Sequence, residues 1–335
     1  MTAKWMMLTR LIGVAAPCAF AAALYAQSPP TTGSVVEKLG ERPMIGFVED
    51  VPTTAEVAGA GQSVALEPHV RVAFVRTWEG WKTACTYGEG ETERPECLDL
   101  DLIRPVVWTV MYQGKRLGEV ETDSWYDPRY YRTLGVLKRM PKTAPRIGKP
   151  DQMFASWLAP AAHRPLVALR NIKVAGQIDH AGWVSTKPAP TDMATIHAMF
   201  LLAFKAMPNC GAAPGVSQSI EAKHLFVAHS TRNKAGDRLL GVRLDPKFAK
   251  GCEGPLGLEW SDLWFHAAAD KAPAMLPVEI ENDLAPFRMS LIEMSDFDGD
   301  GKPEALFWFS SHSVEGYLLV HDQFEQQVRF MWKYQ

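Results

Sequence analysis

The chain lacks most of the motifs that announce a catalytic family. It has no Gly-x-Ser-x-Gly elbow, no Walker loop, no dinucleotide-binding glycine fingerprint and no His-Glu-x-x-His pair. These gaps argue against α/β-hydrolase, P-loop, dinucleotide-dependent and zinc-protease chemistry. Basic charge is not in excess either. Lys and Arg number 35 against 38 Asp and Glu, a formal charge of −3. Without a basic stripe to neutralise phosphates, nucleic acid and anionic membrane surfaces are poor partners. Cysteine is scarce, with five residues in 335. The nine histidines are scattered, and Ser310-Ser-His-Ser313 is the most suggestive cluster of hydroxyls about a histidine. Catalytic triads are assembled in space, so adjacency in sequence gives that tract little weight.

Residues 1–26 read as a secretory signal peptide. Lys4 and Arg10 supply a positive start, an apolar stretch runs from Leu11 to Tyr25, and small residues allow cleavage after Ala23 or after Ala26. Pro17 interrupts the apolar run and makes it short for a membrane span. It also occupies the position before Cys18 where a lipoprotein signal needs a small residue. The expected location is therefore periplasmic or secreted, with no stable membrane span after cleavage. Cleavage removes Lys4 and Arg10, so 33 basic residues face the same 38 acidic ones, a formal charge of −5. It also leaves four cysteines: Cys85, Cys97, Cys210 and Cys252. An even number in an exported chain points to disulfides, and the spacings are too wide for a zinc site. Of three connectivities, Cys85–Cys97 with Cys210–Cys252 is favoured, because the first pair would staple the polar, turn-rich segment 87–95.

The strongest positive signal lies near the C-terminus, in Asp296-Phe-Asp-Gly-Asp-Gly-Lys-Pro-Glu304. Counted from Asp296, acids fall at positions 1, 3, 5 and 9, and glycine stands at position 6. Calcium takes six to eight oxygens, and alternate side chains of a curled backbone point inward to supply them. Gly301 permits the sharp bend, and the Lys302 carbonyl stands where such loops add a backbone oxygen. Asp296, Asp298, Asp300, Lys302 and Glu304 are thus the predicted ligands of a structural Ca²⁺ ion. The alternative is an ordinary solvated acidic turn, since Asp and Gly are turn residues. Mutual repulsion among four carboxylates weighs against it unless a cation is present. An EF-hand is excluded, because its position 12 is Phe307 and the flanks read as strands rather than helices.

Strand, acidic loop, strand is the arrangement in which the last 45 or so residues resemble one FG-GAP/VCBS repeat, the unit of integrin-alpha-type propellers. Asp296, Asp298, Asp300, Gly301, Glu304, the apolar run Ala305–Phe309 and the strand Gly316–Val320 carry the resemblance. It implies a C-terminal blade-like calcium module. No second acidic loop is present; Leu98-Asp-Leu-Asp101 is the nearest echo.

The remaining pattern predicts a mainly β, α+β fold of antiparallel sheets with one clear helix, as two domains or one large β-rich domain. Residues 27–67 read as an N-terminal arm, adding at most one strand at Met44–Val48. Residues 68–187 read as a β-rich domain, with a strand at His69–Val75, a hairpin Val106–Tyr112/Arg116–Glu121 and short strands near Leu166. Pro188-Ala-Pro190 suggests a boundary, and 191–335 follows as helix plus antiparallel sheet. The helix is predicted over Asp192–Met207 from apolar residues three and four apart, capped by Thr191 or Asp192. A hairpin near Leu225–Leu244 and three final strands complete it. Trp125, Tyr126, Arg129, Tyr130 and Tyr131 cluster aromatics around an arginine and form a candidate surface for a glycan or peptide. The expected function is a non-enzymatic exported envelope protein that binds a protein or glycan partner. The alternative is a secreted hydrolase acting on envelope polymers through an unrecognised site.

Overall fold

Side chains that alternate between the two faces of three separate antiparallel sheets organise the molecule. A computed structural model describes residues 39–52, 66–86, 96–98, 100, 105–112, 114–122, 166–172, 182–206, 221–245, 262–276, 278, 288–310 and 314–333. Lys38–Gln335 forms one compact unit, distinct from Met1–Glu37. The predicted signal peptide, Cys210, Cys252 and the aromatic tract Trp125–Tyr131 all lie outside the described residues.

The first sheet contains β1 (Met44–Pro52), β2 (Leu66–Thr77), β3 (Gly80–Thr83), β6 (Val106–Tyr112), β7 (Lys115–Thr122) and β8 (Leu166–Arg170). Their order is β3-β2-β1-β8-β6-β7. Between them in the chain, β4 (Cys85–Thr86) and β5 (Glu96–Cys97) make a two-stranded ribbon in which Cys85 pairs with Cys97. Those two cysteines are disulfide-bonded, as the stapling argument predicted. The β6–β7 hairpin also forms where predicted, with Gly114 in its turn at φ 75°. One expectation needs correction. Met44–Pro52 is no optional addition from an arm: β1 is hydrogen-bonded to β2 on one side and to β8 on the other. Its core residues are short apolar pairs followed by Glu49 and Asp50, so composition alone disguises a central strand.

The second sheet, β9 (Val184–Ser185) to β13 (Ala274–Met275), runs in the order β13-β12-β11-β10-β9 around β10 (Leu225–Arg232), β11 (Arg238–Leu244) and β12 (Asp262–Ala267). The third is the meander β14 (Arg288–Ser295), β15 (Glu304–Ser310), β16 (Val314–His321) and β17 (Gln326–Lys333). The single α-helix among the described residues, α1, spans Pro190–Ala206. It begins two residues earlier than the cap prediction, with proline in the first turn where its missing N–H is no loss. Asp192, expected as a cap, instead lies buried in that turn and pairs with Arg238 at 2.8 Å.

These layers stack across the Pro188–Pro190 break. Ile45, Phe47 and Phe74 of the first sheet meet Trp308, Tyr317 and Phe330 of the third, with the Phe47 and Tyr317 rings stacked at 3.5 Å between centroids. The opposite face of the third sheet sends Phe307, Phe309 and Leu318 against Leu239 and Trp264 of the second. Leu240, Val242 and Phe265 turn from there to Ile196 and Phe200 of α1. Every residue of β15 is therefore buried, because the strand has a sheet on each side of it. No helix among the described residues is long and apolar enough to cross a membrane.

Candidate metal centre

The acidic segment is the connection between β14, an edge strand of the third sheet, and β15 at its centre. Pairing ends at Ser295↔Glu304, so residues 296–303 form the loop and Glu304 is the first residue of the buried strand. Two glycines allow the curl. Gly299 has φ 77° and Gly301 φ 84°, both in the left-handed region that side chains other than glycine resist. Only Gly301 was legible as a bend from the ligand spacing. Nothing lies within 4 Å of a Cβ built at either position. The cost of substitution is thus conformational rather than steric. Gly301→Ala is expected to lower stability by about 1 kcal/mol, read as a reduced urea midpoint with unchanged slope.

The loop's own amides fold its carboxylates inward. Asp296 accepts from the N–H groups of Gly299 (2.7 Å) and Gly301 (3.0 Å). Asp298 accepts from Asp300 N–H at 3.3 Å, and Asp300 from Lys302 N–H at 2.7 Å. Glu304 accepts from Phe297 N–H at 2.5 Å. The result brings one oxygen each from Asp296, Asp298, Asp300 and Glu304 within 4.8 Å of one another. The four predicted carboxylate ligands therefore converge. At an effective dielectric of about 20, two unit charges at that separation repel by roughly 3.5 kcal/mol. A divalent ion among them would reverse the sign of the balance.

For Lys302 the predicted ligand is the backbone carbonyl; its side chain is engaged separately, donating to Asp322 at 2.8 Å in the β16–β17 turn. That contact holds the Lys302 ammonium above its usual pKa and the Asp322 carboxyl below its own. Glu304 is the unusual acid. It is 1% exposed, and burial, followed by the charges of Asp298, Asp296 and Asp300, pushes its pKa up to about 8 against the opposing Phe297 hydrogen bond. That shift favours the protonated or cation-bound carboxyl over the bare carboxylate at neutral pH.

One participant was invisible in the sequence. Arg76, on β2 of the first sheet, donates from Nε to Asp298 Oδ2 at 2.7 Å. It stands 222 positions from its partner, with no local motif to mark it. His321, at the end of β16, senses both sides of this contact. Burial lowers its pKa first and the Arg76 charge lowers it further, while Asp322, Asp298 and Asp300 oppose.

The donor set is entirely oxygen, which suits hard cations and disfavours zinc or copper. These residues fit a metal ion. No other group of three or more His, Cys, Asp or Glu residues is gathered in this way among the described residues. Comparison of the chain with known protein families, with curated proteins and with solved structures gives no match.

Proposed function

We propose that the 296–304 loop binds one Ca²⁺ as a structural ion, and that the protein is an exported, periplasmic or secreted, non-enzymatic binding protein of the envelope. The observation that carries the ion is the convergence of four carboxylates within 4.8 Å at a strand-to-strand turn. Calcium is favoured over magnesium because so many charged oxygens from one curled loop suit a large ion, whereas magnesium keeps its waters and a strict octahedron. The FG-GAP/VCBS-like spacing supports the same reading, and so does the loop's place in a four-stranded antiparallel sheet. Export is supported by the first 26 residues and by an even cysteine complement of which Cys85 and Cys97 are bonded. The ion's task would be to hold the β14–β15 turn closed so that β15 can enter the core. The partner, a protein or a glycan, would bind elsewhere, and the aromatic tract around Arg129 is its candidate surface.

Titration calorimetry tests the ion directly. One Ca²⁺ per chain is expected, with a dissociation constant on the order of 10⁻⁴ to 10⁻³ M, magnesium weaker, and binding lost in Asp298→Asn/Asp300→Asn. A chain that takes up no calcium, or takes it up equally in the double variant, removes the proposal. For the partner, retention of periplasmic proteins or envelope glycans is expected to drop when Trp125 and Tyr130 are both changed to alanine.

A further inference from the structure

The first and third sheets meet mainly through apolar side chains, whose attraction is non-directional. Arg76 adds a directional link. Its backbone N–H donates to Pro43 O at 2.9 Å, and the residue pairs with Trp81 across the β2–β3 hairpin. The guanidinium is held over its own turn: Nη1 donates to Thr77 O at 3.3 Å, and a Cβ at Gly80 would stand 3.5 Å from that nitrogen. From there Nε reaches Asp298, whose side chain is 7% exposed. The contact occupies Oδ2, while Oδ1 accepts from Asp300 N–H. Arg76 thus grips an acid of the loop from a different sheet. In metal sites, groups that hydrogen-bond a ligating carboxylate from behind fix its orientation.

We propose that Arg76 is a positioning residue that transmits the state of the 296–304 loop to the β2–β3 hairpin, so that a cation ordering the loop also quiets an edge of the six-stranded sheet. This rests on the reading that the loop binds a cation. A second bridge between the same sheets, Gly114 N–H to Glu293 at 2.7 Å, starts from a β14 residue outside the loop and serves as an internal control.

Hydrogen exchange on the whole chain, with a few millimolar CaCl₂ or with chelator, separates the possibilities. Calcium is expected to slow exchange at the loop amides of Phe297, Gly299 and Gly301, and at the hairpin amides of Trp81 and Lys82, by about fivefold or more. In Arg76→Gln the loop response should persist while the hairpin response falls below about twofold. Gly114 should respond alike in both proteins. Arg76→Lys keeps a cation but loses the Nε donor, and it is the second variant should glutamine prevent folding; its hairpin response should also fall. A loop that slows while the parent hairpin does not, or a hairpin that slows equally in every variant, overturns the role of Arg76 and leaves the ion in place. If neither segment responds to calcium, the cation reading fails and this inference fails with it.

Discussion

With chelator present, the Glu304 contribution to stability is expected to fall progressively as the pH rises from about 4.5 to about 8, opposed in the lower part of that range by the lowered pKa values of His321 and His266. The folded pKa of Glu304, about 8, lies above the ordinary value of 4.5. The native state therefore holds this proton more tightly than the unfolded chain does. The contribution is fully present below pH 4.5, is lost as pH climbs through the window, and is gone above pH 8, the reverse of a salt-bridged carboxylate. Linkage sets the limiting slope at about 1.4 kcal/mol per pH unit, so the whole window can remove several kcal/mol from a typical margin of about 5–15 kcal/mol. Urea midpoints at pH 5, 6, 7 and 8 measure it. Glu304→Gln should flatten the profile, because glutamine carries no proton to lose. Saturating calcium should flatten it too, since the ion takes the proton's place, and its binding near pH 6.5 should release close to one proton per chain. A parent profile that is flat with chelator, or equally steep in the glutamine variant, contradicts the assignment.

Calcium itself is expected to raise the melting temperature. At ~2 mM free ion and a dissociation constant near 10⁻⁴ M, mass action gives about 1.8 kcal/mol, which for a domain of this size is roughly 3 °C. Asp298→Asn/Asp300→Asn should abolish the shift. Because the double variant both weakens the Arg76 contact and relieves carboxylate repulsion, its melting in chelator is a separate baseline, so the difference between the two conditions is the relevant quantity. Asp300→Asn alone leaves the Arg76 contact untouched and should still lose most of the calcium response. Parent protein whose melting is indifferent to calcium would return the segment to the class of solvated turns.

How much of this could be read from residues depends on distance along the chain. The metal cluster was legible because Asp296, Asp298, Asp300 and Glu304 sit within nine positions, and loop geometry brings them together. The hairpin Val106–Thr122 was legible for the same reason, through alternation and Gly114. The run Ala305–Phe309 read as a strand, yet its burial on both faces came from two other sheets that no window of residues contains. Met44–Val48 looked peripheral because five apolar residues beside an acidic, Pro- and Thr-bearing stretch give no sign of a partner at Leu166–Arg170. Arg76 was the hardest case, an ordinary strand arginine until the fold carries it to Asp298. The turn Asp322-Gln-Phe324 also gave no warning: all three residues adopt positive φ without a glycine among them, held by the Lys302 contact at one end and by Phe324 stacked on His266 at the other.

The central position of β14–β17 bears on how the molecule is made. A ribosome delivers the outer layers first, and the ply that separates them arrives last. Until residues 288–333 emerge, Phe47 and Phe74 on one side and Trp264 on the other lack the meander that completes their burial. Nascent chains in that condition are sticky, and closing contacts between residues nearly 300 apart is slow. This protein should therefore need a holding chaperone during biogenesis, and deletion of the β14–β17 meander should yield aggregates instead of a shortened but folded product.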